Sequence, residues 1–383
     1  MKDISAIVSG FKENIFSQIS NLANQYNAVN LSQGYPDFDG AGFALEFAKL
    51  NIDKGFNQTT NAIGCEELRL SIKDYIKRKY NLDYDHNTEI TVTCGATEAM
   101  YDVISAMVNP GDEVIVFEPF FDIYVPAILM NHGKVKTVTL HGPNFCFDQQ
   151  ELENAFSKKT KMVILNTPHN PTGHVFKKDE LEIVCDLVKK YDAYLVTDEV
   201  YEFLTFDAHV HIPPATIDGM RERTIMISSS GKTFGLTGWR TGWAITTPKL
   251  SNAIRLVHQN NTFSGPHPLQ RAIGESFAKL DEYLLDYRKM YLRKRDILFN
   301  GLANLGFRPL QPQGTYFIMC PIRHMTDKSD IEFAKDLIVN KKVATIPPSA
   351  FYLNSNEGND YIRFCFAKKD ETLYQALENL SRL

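Results

Sequence analysis

Between residues 89 and 247 the chain alternates two patterns that few architectures accommodate. Seven short stretches, 89–94, 113–117, 135–140, 161–166, 193–197, 224–228 and 241–246, are largely apolar without a polar face. The stretches between them, clearest at 97–108 and 178–191, repeat apolar residues at helical spacing. A strand that is apolar on both sides must be covered on both sides, and helices that cross from strand to strand provide that cover. The spacing predicts an α/β fold with a mostly parallel seven-stranded sheet in a large domain.

The rest of the chain reads differently. A long charged helix pattern covers 281–305, followed by strand-like 315–321, helical 331–339, strand-like 361–367 and helical 371–383. This order predicts a smaller α+β domain. The first 35 residues read as helix then strand and are expected to pack with it. The division is residues 1–39 as an N-terminal arm and part of the small domain, 40–280 as the large domain and 281–383 as the small C-terminal domain. A chain of 383 residues is long enough for two such units.

Bulk properties exclude several classes. The net charge of -5 leaves no basic footprint for nucleic acid. No apolar run approaches the length of a membrane span, and Met1-Lys2-Asp3-Ile4-Ser5 has no continuous apolar leader. The six cysteines are scattered, with no Cys-x-x-Cys pair, and four lie in apolar stretches. That favours reduced thiols in a cytoplasmic protein over disulfides or a metal site. The ten histidines are dispersed as well, so no metal is expected.

In an open α/β sheet, ligands collect beyond the carboxyl ends of the strands. The 224–228 strand delivers Ser228-Ser229-Ser230-Gly231-Lys232, and Arg240 follows eight residues later. Hydroxyls, glycine backbone and a guanidinium suit a phosphate. An amine held beside a phosphate suits an imine with an aldehyde cofactor that carries one. Gly231-Lys232-Thr233 is not a P-loop, because Met226 stands where that motif needs glycine.

Other strand ends add to the set. Gly95-Ala96-Thr97 opens a helix, with N–H groups free for an anion. Phe121, in the aromatic run after 113–117, can stack on a flat ring. Asn170, in the rigid turn Asn170-Pro171-Thr172-Gly173, offers an amide to a ring oxygen. Asp198 directly follows a buried strand and needs a partner, which a pyridinium N–H would be; Tyr201 lies three residues on. Arg363 sits in an apolar strand and suits a substrate carboxylate. Taken singly, each has a plainer reading: a solvated loop lysine, a helix cap, a core aromatic, an ordinary turn, an internal ion pair.

The ordered set is more specific. Asn170-Pro171-Thr172-Gly173, Asp198-Glu199-Val200-Tyr201, Ser229-Ser230-Gly231-Lys232, Arg240 and Arg363 together resemble the fold type I, pyridoxal phosphate (PLP)-dependent aminotransferases of class I/II. The resemblance spans nearly the whole chain. Leu31-Ser32-Gln33-Gly34-Tyr35-Pro36-Asp37 and Arg363-Phe364-Cys365-Phe366 are similar to the methionine and kynurenine/glutamine branch of that family.

The resemblance implies a PLP-transferase fold and specific roles. Lys232 would carry the cofactor and act as base. Asp198 would pair with the ring nitrogen, and Tyr201 and Asn170 would bond the ring hydroxyl. Ser229, Arg240 and the amides of Ala96 and Thr97 would hold the phosphate, with Phe121 stacked on the ring. Arg363, Asn170 and the Gly34 backbone would hold the substrate carboxylate, with Phe16 and Tyr35 as pocket walls. The implied reaction moves an amino group from an amino acid to a 2-oxo acid by a ping-pong route in a homodimer. A departure occurs at Thr59, where relatives usually carry a tyrosine that reaches the phosphate of the partner subunit; weaker cofactor retention is expected. A PLP-dependent C–S β-lyase would use the same residues. A transcription regulator built on the same domain would need more than the roughly 30 residues that precede Gly34.

Overall fold

The computed structural model describes residues 2–11 and 13–382. Its main sheet has eight strands, in chain order β2 (Ile90–Thr93), β3 (Glu113–Glu118), β4 (Lys134–His141), β5 (Cys146–Phe147), β6 (Thr160–Asn166), β7 (Tyr194–Asp198), β8 (Thr224–Ser229) and β9 (Gly242–Ile245). β1 (Val29–Asn30) lies elsewhere. The spatial order is β2-β9-β8-β7-β6-β3-β4-β5. The β4–β3, β3–β6, β6–β7 and β7–β8 pairs are parallel. β9 runs antiparallel to both β2 and β8.

All seven expected strands are present. The eighth, β5, is two residues long and pairs antiparallel with the edge strand β4. Two residues leave no alternation to read in a sequence, so the expected count of seven falls one short.

Alternate residues of one strand feed different cores. Val114 and Val116 of β3 pack with Val196, Ile225 and Ile227 against Ala99, Val103 and Ile254 of the helices Ala96–Met107 and Pro248–Asn261. Ile115 and Phe117 pack on the opposite face with Val163, Leu165 and Leu195 against Leu181, Val184 and Val188 of the helix Lys178–Lys190. This two-sided cover is why the strand sequences are continuously apolar.

β10 (Phe317–Pro321) pairs antiparallel with β12 (Tyr361–Cys365), which sets Met319 opposite Arg363. β11 (Val343–Ala344) pairs in parallel with β1, which brings the segment around Val29 against the C-terminal elements. The helices Leu280–Asn304, Asp330–Lys341 and Asp370–Ser381 complete this region. Ser329 and Glu332 form a reciprocal cap on the second of these. The final residue of the expected helix 371–383 lies outside the described residues.

Candidate active site

The carboxyl ends of β2, β3, β6, β7 and β8 open into one cavity of about 530 Å³. All thirteen candidate residues line it: Phe16, Gly34, Tyr35, Ala96, Thr97, Phe121, Asn170, Asp198, Tyr201, Ser229, Lys232, Arg240 and Arg363. Because β9 runs backwards, its entry residue Arg240 meets the ends of its neighbours; Gly242 pairs with Thr93 on one side and Ser229 on the other.

One end of the cavity is built for an anion. Gly95 has φ +85°, and a Cβ there would meet the Arg240 guanidinium at 2.6 Å. At Gly242 a Cβ would meet the Ala96 nitrogen at 2.5 Å. Both positions therefore require glycine. The result sets Arg240 beside the N-terminus of the helix Ala96–Met107, where free N–H groups and the helix dipole favour negative charge. Glu98 on this helix accepts from the Cys94 N–H and from His258, 3.0 Å away. Burial works against a charged imidazole at His258, but Asp102 and Glu98 outweigh it and push its pKa up to about 9. A buried ion pair thus fixes the loop from behind.

In the floor lies Asp198, 6% exposed. Burial lifts its carboxyl above the usual range, opposed by the Tyr124 hydroxyl at 2.6 Å and the Val200 N–H. A cationic N–H facing it would offset that burial. Asn166 joins the neighbouring turns: its amide donates to the Asp198 carbonyl at 2.8 Å and accepts from the Asn170 N–H at 2.7 Å.

The Lys232 amine is part-exposed to the cavity and otherwise enclosed by protein. It donates to the Gly34 carbonyl at 2.9 Å and to the Tyr316 hydroxyl at 2.6 Å. Burial pushes its pKa down to about 8. About a tenth of it is therefore free base at pH 7, far more than an ordinary lysine has, and that fraction can act as nucleophile or base.

At the far end Arg363 is 1% exposed. Its Nη1 donates to Asn170 Oδ1 at 3.0 Å and its Nη2 to the Ser32 carbonyl at 2.7 Å. The guanidinium lies over the Phe317 ring at 4.0 Å, with Phe16 and Phe351 farther off. Its Nε is buried and has no partner among the described residues. Burial pushes its pKa down to about 10. A buried cation with an unused donor calls for an anion. Phe16 comes from the helix Ile15–Gln25, whose cap Asn14 also reaches Asp122 on the cavity wall.

A phosphorylated pyridine aldehyde fits this donor set: an amine for the aldehyde, a buried carboxylate for the ring nitrogen, Phe121 on the wall, and a glycine-lined anion cradle. Thr59 is exposed and does not line the cavity. Three site residues escaped the sequence reading: Tyr124, Asn166 and Tyr316. Asn166 ends an apolar strand and Tyr124 ends the aromatic run after 113–117, so both carried the same positional signal as their neighbours. Tyr316 carried none, since it sits in a stretch read only as a core strand.

Known proteins share this sequence pattern and fold. The sequence pattern of the family "Aminotransferase class I and II" matches residues 26–380. The chain is 39% identical to methionine aminotransferase of Escherichia coli, covering 96% of this chain and 95% of the relative. It is also 39% identical to kynurenine–oxoglutarate transaminase of Dictyostelium discoideum, covering 98% and 95%. Its fold superposes on an Escherichia coli structure described as a methionine aminotransferase, with TM-score 0.96, 38% identity and full coverage of both chains. N-succinyldiaminopimelate aminotransferase of Mycobacterium tuberculosis superposes with TM-score 0.96, 37% identity and 99% coverage of both. The chain belongs to the class I and II aminotransferases, the PLP-dependent transaminases of fold type I.

Proposed function

We propose that this transaminase takes its amino group from an apolar, aromatic or sulfur-containing amino acid of methionine-like character, with kynurenine and glutamine as further donors. The group passes to a 2-oxo acid in two half-reactions. The observation that carries the reading is the unpaired, buried Arg363 facing the same cavity as the Lys232 amine and the Asp198 carboxylate. The names of the methionine and kynurenine relatives support the substrate class.

The geometry supports the following roles, which the residues would take with substrate and cofactor bound. Arg363 binds the substrate carboxylate with a bidentate fork, aided by Asn170 and the Gly34 backbone. Phe16 and Tyr35 stand as walls beside the substrate side chain, and Phe121 would stack on the cofactor ring. Arg240, Ser229 and the amides of Ala96 and Thr97 hold the cofactor phosphate. Asn170 and Tyr201 bond the ring hydroxyl. Asp198 keeps the ring nitrogen protonated, and Tyr124 orients that carboxylate. When bound, the cofactor ring supplies an electron sink for the pair left behind as the α-proton departs. Lys232 would hold the cofactor at rest and, once free, its amine would take the proton from the substrate α-carbon and give it back at the carbon on the cofactor side of the nitrogen.

The assembly proposed is a homodimer in the cytoplasm, divided into residues 1–39, 40–280 and 281–383. All six cysteines are unpaired, which suits a reducing compartment. Among the described residues no helix is long and apolar enough to cross a membrane. A panel of amino acids mixed with the holoprotein, read by the visible cofactor band, tests the substrate class. Methionine, phenylalanine and glutamine should convert the band faster than aspartate. Conversion by aspartate alone would contradict the reading. Pyruvate release from a cysteine conjugate without added oxo acid would point to β-lyase chemistry instead.

A further inference from the structure

Three polar atoms close a triangle at the base of the cavity. The Lys232 amine lies 2.6 Å from the Tyr316 hydroxyl and 2.9 Å from the Gly34 carbonyl, and Tyr316 and Gly34 are themselves 2.5 Å apart. The proton count fixes the direction of each bond. The carbonyl only accepts, so the single tyrosine proton goes to Gly34, and the tyrosine oxygen accepts from the amine. A neutral amine then has both N–H groups committed. Its lone pair has one direction left, out into the cavity.

The triangle is held rigidly. Tyr316 is 1% exposed, stacked on Tyr291 at 5.9 Å and edge-on to Tyr201 at 5.2 Å. The Tyr287 hydroxyl donates to the Lys232 carbonyl and pins the lysine backbone. A Cβ at Gly34 would meet the Phe317 ring at 2.9 Å, so the residue that supplies the carbonyl is itself confined.

We infer that Tyr316 is a positioning residue for the reaction: with the Gly34 carbonyl it parks the freed Lys232 amine and aims its lone pair at the substrate α-carbon. This rests on the reading of Lys232 as the base. Burial among rings raises the Tyr316 hydroxyl well above its ordinary pKa, so Tyr316 stays neutral and leaves the proton transfer to the lysine.

Tyr316→Phe keeps the ring and removes the contact. The first readout uses apoprotein: the pH dependence of acylation at Lys232 by acetic anhydride, followed on its peptide by mass spectrometry. The wild-type midpoint should lie near 8. Losing an acceptor that favours the ammonium form should lower it by about one pH unit in the variant. In holoenzyme the donor half-reaction should show kcat down at least ~10-fold with KM changed less than about twofold, as expected for an interaction felt at the transition state. Gly34→Ala, which pushes the carbonyl off, should lower the midpoint in the same sense. Tyr291→Phe, which keeps the ring stacked on Tyr316 and removes a hydroxyl outside the triangle, should leave it unmoved.

An unchanged midpoint in both Tyr316→Phe and Gly34→Ala overturns the inference, as does an equal shift in Tyr291→Phe. A Tyr316→Phe protein that only melts earlier, with kcat and midpoint as in wild type, overturns it too. Attachment of the cofactor to another lysine would sink the underlying reading of Lys232 instead, so the two failures are distinguishable.

Discussion

Replacing Arg363 with methionine should damage binding more than it destabilises the fold. The guanidinium is buried, yet among the described residues its hydrogen bonds go only to the neutral Asn170 amide and the Ser32 carbonyl, and its Nε has no partner there. In the free protein it carries a desolvation cost that those two bonds offset in part. Methionine removes the buried charge but leaves Asn170 Oδ1 and the Ser32 carbonyl without their donor, at roughly 1–3 kcal/mol each. Exchanges of buried ionic groups for apolar side chains of similar volume are often neutral or stabilising by about 1–4 kcal/mol. At mid-range, about 4 kcal/mol lost against about 2.5 kcal/mol gained leaves a net loss of roughly 1–2 kcal/mol. Substrate binding has no such compensation. A carboxylate that loses its buried guanidinium loses about 2–5 kcal/mol, and the middle of that range is several hundred-fold in affinity at roughly 1.4 kcal/mol per tenfold. The assay is a titration of each half-reaction by the cofactor band, beside thermal denaturation of the apoprotein. An unchanged KM for both amino acid and oxo acid would refute the reasoning. So would a loss of several kcal/mol in apoprotein stability, which would make Arg363 a structural residue.

Two further outcomes follow from the same geometry. Capture of the cofactor aldehyde by apoprotein should rise with pH through a midpoint near 8, the value to which burial lowers Lys232. At pH 7 that leaves roughly 300 times more free amine than an ordinary lysine has; a midpoint above 10 in stopped-flow traces contradicts it. In linkage terms the unfolded chain holds this proton and the folded one does not between pH 8 and 10.5, so Lys232 contributes stability that rises with pH across that window. Gly95→Ala should cost about 1–3 kcal/mol in stability, because the backbone there is glycine-only territory. The added methyl also strikes Arg240, so cofactor affinity should fall at least ~10-fold; equal dissociation constants by fluorescence titration would show that Arg240 does not hold the phosphate.

Much of this molecule was legible because its strands are covered on both faces. Ile115 and Val116 point to opposite cores, so β3 is apolar at every position from Val114 to Phe117 and stands out from its surroundings. The site was legible for a related reason. Asp198, Ser229 and Lys232 are polar residues directly after such strands, where only a ligand or a partner makes them affordable. What stayed hidden depends on contacts between distant segments. Tyr316 lies 84 residues from Lys232, and an aromatic residue before a strand reads as core wherever it points. The expected strand at 315–321 begins only at Phe317, because Thr315 has φ +66° and donates its N–H to Leu204 instead of to a neighbouring strand. Tyr124 was visible as part of an aromatic run, but its hydroxyl bond to Asp198 spans 74 residues. The edge strand β5 was too short to leave a pattern.

Every role assigned here depends on which amine holds the cofactor. Borohydride reduction of the holoprotein, followed by digestion and mass mapping, fixes the cofactor to that amine permanently. The account predicts a single modified peptide containing Lys232. Modification of any other lysine, or protein that stays colourless when soaked in pyridoxal phosphate, would contradict it.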